Sequence, residues 1–248
     1  DRYTSYSAGA SWRLAPGSAV FGRISRGARA NADRLLFTPF VRADGTAVPG
    51  LSADRITQLE AGWKWRSGNY LLNVTAFHTE TQEQANFEAT TQRLISQDYE
   101  ARGIEVEALA AWGDFTLSGN FTWTDAEIVS GAFDGRTPRR QPDLLYTLTP
   151  TWRKGRVTIG GNFVGITDSF AQDGNVLKMP GYLQVNAFAE ARVTDALTVS
   201  LNVNNLTDEF AITEAEDGTL NANGLIRARP INPRTTSLTL RYAFQGDR

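Results

Sequence analysis

The chain has no cysteine, one histidine and one methionine in 248 residues. Nowhere does it reach the ~18 consecutive apolar residues that a membrane-spanning helix needs. The missing apolar run excludes insertion by helices, and the missing thiols accord with a chain that faces an oxidising compartment. Proteases and phospholipases need a histidine base beside a nucleophile, or a carboxylate with activated water. His78 has no second histidine or cysteine to partner it, so a polar lining or interface role is expected for it instead. A formal net charge of −2 lacks the basic footprint of a nucleic-acid binder. No initiator methionine, basic n-region or apolar h-region stands at the start, so the beginning is expected to have been processed or cut away.

What is present is alternation. From Tyr3 to Leu14, Tyr6, Ala8, Ala10, Trp12 and Leu14 fall on one side and Ser5, Ser7, Gly9, Ser11 and Arg13 on the other, as side chains of a strand must. Thr57, Leu59, Ala61, Trp63 and Trp65 stand against Gln58, Glu60, Gly62, Lys64 and Arg66. The pattern returns in Ile104 to Trp112 and in Leu183 to Val193. A soluble sandwich also alternates, but these segments exceed the ~5–6 residues usual for globular strands and match the ~9–11 needed to cross a bilayer at a tilt. The polar file carries Glu60, Lys64, Glu105, Glu107, Glu190 and Arg192, charges that would be costly inside a sandwich core. A barrel resolves the conflict by turning its apolar file to lipid and its polar file to the lumen.

The pattern predicts an all-β chain with eleven strands at 3–14, 19–27, 55–66, 69–86, 96–112, 115–128, 143–153, 156–167, 182–193, 197–205 and 234–244. Tight turns rich in Gly, Asp and Pro alternate with long polar loops at 28–54, 87–95, 129–142, 168–181 and 206–233, the short-turn and long-loop asymmetry of outer-membrane barrels. Trp12, Trp63, Trp65, Trp112 and Trp152, five of the six tryptophans, lie within a few residues of tight turns. With Tyr70 and Phe115 they are expected to form the inner aromatic girdle, and Trp123 suits the outer one. Eleven strands leave two edges in lipid, which a membrane does not tolerate. The expectation is therefore a fragment, the last eleven strands of an antiparallel transmembrane barrel of about 22.

Residues Gly181-Tyr182-Leu183-Gln184-Val185-Asn186, leading to Val203-Asn204-Asn205-Leu206-Thr207-Asp208, resemble the end of a TonB-dependent outer-membrane receptor barrel. Pro233-Arg234-Thr235 and Ser237 to Phe244 are similar to that family's closing strand. Leu59-Glu60-Ala61-Gly62-Trp63-Lys64 and Ala101-Arg102-Gly103-Ile104-Glu105-Val106-Glu107 resemble two of its internal strands. The chain departs from the family in the tail Gln245–Arg248 after the terminal aromatic residue, and the plug domain and TonB-contacting box are expected to lie outside this segment.

The resemblance implies a non-enzymatic importer in the outer membrane of a Gram-negative bacterium, with no cofactor and no resident metal. Its expected partners are outer-membrane lipid, the missing N-terminal plug and barrel half, the TonB energy-coupling complex and a small-molecule solute, with no nucleic acid. A ferric siderophore is the leading cargo. A saccharide or vitamin B12 is the alternative, and an outer-membrane hydrolase is the alternative of another class. Glu60, Lys64, Glu105, Glu107, Glu190 and Arg192 are then expected to face the lumen and plug. Ligand contact is expected from Arg34, Phe37, Phe40 and Arg42 in the first long loop, from Arg136, Arg139 and Arg140 in the third, and from Phe170. Guanidiniums pair with carboxylate or catecholate oxygens and aromatics stack on rings. The same arginines also suit a solvated surface or anionic lipid. Asp134-Gly135, Asp173-Gly174 and Asp217-Gly218 read as turns, since none shows the ligand alternation of a calcium loop.

Overall fold

The computed structural model describes residues 3–29, 53–88, 93–215 and 224–244, which form strands and turns with no helix among them. The strands are β1 (Tyr6–Ala15), β2 (Ser18–Arg29), β3 (Asp54–Ser67), β4 (Tyr70–Glu88), β5 (Arg93–Trp112), β6 (Phe115–Ile128), β7 (Leu144–Lys154), β8 (Val157–Ile166), β9 (Ser169–Phe170), β10 (Lys178–Met179), β11 (Tyr182–Arg192), β12 (Leu197–Asn204), β13 (Ile212–Ala215), β14 (Ala228–Pro230) and β15 (Thr235–Tyr242). Eleven of them make one antiparallel sheet in the order β1-β2-β3-β4-β5-β6-β7-β8-β11-β12-β15. The sheet does not close: β1 and β15 are its edges.

The eleven long strands follow the alternation closely. Two differences matter. Residues 87–88 and 93–95, expected as loop, are ladder, because β4 and β5 continue pairing through Asn86↔Ile95 and Phe87↔Leu94 after a bulge. Two small hairpins, β9–β10 and β13–β14, lie within segments expected to be plain loop, since strands of two to four residues are too short to show a period.

Cross-strand register converts the sequence alternation into two surfaces. One perpendicular row reads Trp12, Val20, Trp63, Val74, Val106, Phe121, Tyr146, Gly165, Leu183. The row on the opposite face reads Arg13, Ala19, Lys64, Asn73, Glu107, Asn120, Thr147, Val164, Gln184. Each row starts next to a tight turn in β1 and ends near the long-loop end of β11, so successive strands are staggered, as a tilted barrel wall requires. On the apolar face Trp12, Leu59, Ile104, Phe121, Ile159, Leu201, Leu238 and Leu240 are exposed; burial of these side chains comes from lipid, not from a second sheet.

The height of the apolar band is legible along β5. From Ile104 to Trp112 the strand runs about 27 Å at ~3.4 Å per residue, which at a tilt of about 40° spans about 20 Å of height, of the order of the ~25 Å apolar band of outer-membrane barrels. One step beyond it, on the same face, come His78, paired across strands with Leu59 and Arg102, and then Asp125. His78 therefore lies at the outward-facing interface rather than in the lumen. β4 and β5, at 19 and 20 residues, extend well past the membrane.

Glycines on the wall receive aromatic rings. A Cβ on Gly103 would sit 2.5 Å from Phe77 and 2.2 Å from the Trp123 carbonyl, and one on Gly160 would sit 2.4 Å from Phe188. These glycines leave open the space on the neighbouring strand that the Phe77 and Phe188 rings occupy. At the first tight turn Gly17 adopts φ 78°, and its closeness to the Arg66 carbonyl leaves no room for a side chain.

Candidate functional site

The polar face holds a recess of about 360 Å³ lined by Phe21, Arg23, Glu60, Lys64, Asn73, Thr75, Glu105 and Glu107. Four residues expected to face the lumen thus come together. Glu60 accepts from Gln58 at 2.8 Å and lies 3.8 Å from the Arg23 guanidinium. Asn73 donates to Glu107 at 2.9 Å, and the Lys64 ammonium stands 4.8 Å from the centre of the Phe21 ring. Glu190 and Arg192 lie on the same face but elsewhere on the wall, near the turn after β11, where Ser200 donates to Glu190 at 3.2 Å.

Above the wall, three outer loops interlock. The segment between β6 and β7 meets the β9–β10 hairpin. Arg140 N–H donates to the Phe170 carbonyl at 2.7 Å, and Arg139 N–H to Asp173 at 2.9 Å. The Asn175 side chain, in turn, both accepts from and donates to Thr137 at 3.0 and 2.8 Å. The last long loop joins through Glu214 on β13, which the Arg140 guanidinium contacts at 2.7 Å and that of Arg229 at 2.8 Å. A small apolar core of Ala171, Met179 and Ala215, flanked by Leu177, Ile212 and Ile226, packs between these loops. Lys178 donates to Asp168 and holds that carboxyl below the ordinary carboxylate range.

The hairpin also reaches the wall. Gln97, on the face shared with Glu105 and Glu107, is 1% exposed. Its amide nitrogen donates to Asp173 at 3.3 Å and to the Tyr99 hydroxyl at 2.9 Å, and Tyr99 donates to Glu83 at 3.2 Å. Burial, together with the nearby Glu83 and Asp173 carboxylates, pushes the Tyr99 phenol up to about 12. The β9–β10 hairpin is therefore docked on the luminal file of β5, leaning over the mouth of the barrel wall.

The expected ligand residues divide. Arg136 and Arg139 present exposed side chains from the cap, whereas Arg140 bridges two loops through Glu214 and the half-buried Phe170 gives its carbonyl to the cap. Arg34, Phe37, Phe40 and Arg42 lie outside the described residues. Sequence reasoning missed Gln97, Asp173 and Glu214. Asp173-Gly174 was legible as a turn, but nothing in the order of residues indicated what the carboxylate would meet.

Asn205 closes the base of the last loop. Fully buried, it donates to the Glu209 and Asn232 carbonyls at 2.9 and 3.0 Å and accepts from Glu209 N–H at 2.8 Å, while its own N–H donates to Asn186. Asp208 accepts from Arg234 N–H at 2.8 Å. The Asn205-Leu206-Thr207-Asp208 motif is thus a clamp joining the two ends of a long excursion. At the opposite end of the strands, Trp63 and Trp65 stack at 6.4 Å and Trp112 and Phe115 at 6.4 Å. Phe115 pairs with Trp152, and Tyr70 with Ala110 on the apolar face.

These features define the class as a transmembrane barrel wall with an apolar belt, a charged lumen and an outer cap. The chain belongs to the family described as TonB dependent receptor-like, beta-barrel, which matches residues 1–206, and it is an outer-membrane protein of a Gram-negative bacterium. It is 25% identical over 176 residues to a protein of Acinetobacter baumannii named Probable TonB-dependent siderophore receptor PiuA, a match that covers 63% of this chain and 23% of that protein. Among solved structures, the ferric yersiniabactin uptake receptor FyuA of Yersinia pestis superposes with a TM-score of 0.77 at 18% identity, covering 96% of this chain and 37% of that one. The copper transporter OprC superposes with a TM-score of 0.80 at 19% identity, covering 97% and 39%. At these identities the structures share the fold. The chain spans about a quarter of the length of the sequence relative and little more than a third of those structures.

Proposed function

We propose that this chain is the wall and outer cap of a TonB-coupled importer that captures a ferric siderophore at the outer loops. In the complete receptor a barrel of about 22 strands encloses a plug, and the TonB complex draws energy from the proton gradient to displace that plug. The observation that carries the reading is the cap itself. Three loops, two exposed arginines and a hairpin docked on Gln97 form a polar cover over the luminal face, a construction suited to seizing a scarce anionic solute before it enters. Glu60, Lys64, Glu105 and Glu107 form the wall that faces the plug, and Glu190 and Arg192 a second contact. The apolar girdle of Trp12, Trp63, Trp65, Tyr70, Trp112, Phe115 and Trp152 anchors the wall in lipid.

Cargo choice is supported by chemistry. A bare copper ion is held by soft or imidazole ligands, and this segment has no cysteine, one methionine and one histidine. The methionine, Met179, is buried within the cap. Guanidiniums suit the carboxylate, catecholate or phenolate oxygens of a ferric chelate. A hydrolase finds little support, because among the described residues His78 meets only the carboxylates of Glu80 and Glu100, at 3.7 and 3.8 Å, on the outward face.

Deleting the complete receptor in its host should abolish growth on one or more ferric siderophores as sole iron source, and Arg136→Ala with Arg139→Ala should lower uptake about tenfold. A deletion strain that grows normally on every ferric siderophore but fails on a saccharide or on vitamin B12 sinks the iron reading in favour of its alternative.

A further inference from the structure

We infer that Arg140 and Arg229 form an anion-receiving pair whose place is kept by Glu214, and that a polyanionic ferric chelate binds by displacing that carboxylate. The inference rests on the importer reading and names the chemistry of its outer site. Two guanidiniums from different loops converge on one carboxylate, Arg140 on one oxygen at 2.7 Å and Arg229 on the other at 2.8 Å. Glu214 is the sheltered member, with 24% of its side chain accessible, while those of Arg140 and Arg229 are 42% and 72% accessible. The arginines can therefore be approached from solvent without unfolding the cap.

Their remaining capacity is large. Each guanidinium carries five N–H donors. Arg140 places one nitrogen 2.7 Å from Glu214 and turns another toward the Ala215 carbonyl at 3.5 Å, and Arg229, the most accessible of the three side chains, places a nitrogen 2.8 Å from Glu214. A ligand with several carboxylate or catecholate oxygens offers more acceptors than Glu214 can, and it meets two guanidiniums already gathered about one point, which lowers the ordering cost of binding. Without Glu214 the two like charges would repel in the empty receptor. Glu214 thus acts as an internal substitute for the ligand's own charge.

Exchange has a structural consequence. Arg140 is the guanidinium tie between the β6–β7 loop and the β13–β14 hairpin. When a chelate takes Arg140 and Arg229, Glu214 is released and that tie is re-made through the ligand, so capture and cap rearrangement are one event.

The test uses the complete receptor in detergent, with ferric citrate as an anionic tricarboxylate probe and ferrichrome as an uncharged trihydroxamate probe. Glu214→Gln is expected to tighten ferric citrate binding about tenfold, Glu214→Asp by a smaller factor, and Arg140→Gln or Arg229→Gln to weaken it at least tenfold. Ferrichrome binding should not follow this pattern. Glu214→Gln and Glu214→Asp binding ferric citrate no better than the unaltered receptor would overturn the proposal and leave the group as a loop tether. Competition by added lipopolysaccharide in place of the chelate would overturn it too, by assigning the arginines to surface phosphate. If these variants fail while the receptor still supports growth on a ferric siderophore, only this inference falls; if that growth also fails, the importer reading falls with it.

Discussion

Asn205 combines full burial, φ of 50° and a side-chain amide shared between two carbonyls and one N–H. Asparagine tolerates that left-handed conformation better than other residues bearing a Cβ, and its amide supplies both donors and an acceptor. Replacing it with alanine removes three hydrogen bonds at once. Asn205→Ala is expected to destabilise the wall by about 2–4 kcal/mol and to make residues 206–233 readily cleaved, as urea unfolding and limited proteolysis of the complete receptor would show. Glycines give a second contrast at this scale. Gly103→Ala forces a Cβ to within 2.2 Å of backbone, whereas at Gly22 the nearest atom is 3.8 Å away. The first should cost about 1–3 kcal/mol and the second under about 0.5 kcal/mol; equal effects in the same unfolding assay would contradict the packing described for Phe77.

At the scale of the strand, alternate residues meet different solvents. Val106, in the middle of the apolar band of β5, should tolerate a charge poorly, with Val106→Arg costing about 2–4 kcal/mol in lipid vesicles, while Ser118→Lys on the polar face of β6 should cost under about 1 kcal/mol. Comparable losses at the two positions would mean that the faces are misassigned. The docked hairpin carries a pH dependence. The folded state favours the neutral Tyr99 phenol, whose pKa rises from 10.0 to about 12. Its contribution to docking is therefore complete below pH 10 and is lost as pH rises from 10 to 12. The protection of amides across residues 167–181, taken relative to their intrinsic base-catalysed exchange rates, should fall through that window, and Tyr99→Phe should remove the fall.

For the whole molecule, the two free edges decide behaviour. β1 and β15 each have one ladder partner, and an unpaired edge in hydrocarbon is costly. The 248-residue chain alone, reconstituted in lipid, should associate through those edges. Because the sequence has no cysteine, Ser7→Cys and Ser237→Cys provide unique crosslinking sites on β1 and β15. Links between copies are expected, and a monomer linked Ser7 to Ser237 would mean that the eleven strands close by themselves. The cap belongs to this scale too, since its ties run from β5 through three separate loops.

How far the sequence reached can be judged element by element. A period of two with turn residues at each end located the eleven long strands, the polar and apolar files and the aromatic cluster near the tight turns, because those patterns are local and every residue of a strand repeats them. The resemblance in Asn205-Leu206-Thr207-Asp208 was legible, but its role as a loop clamp was not, because its partners lie at Asn186, Glu209 and Asn232. Likewise Arg136 and Arg139 were legible as exposed cations, while nothing marked Arg140 as paired or Glu214 as its counter-ion, 74 positions away in a segment too short to show periodicity. Alternation by itself determined which side of each strand is greasy, since that depends only on neighbours along the chain. The tertiary structure alone decided which loops meet over the lumen and which charges they neutralise, because those contacts depend on strand stagger and loop closure, quantities that no single stretch of residues encodes.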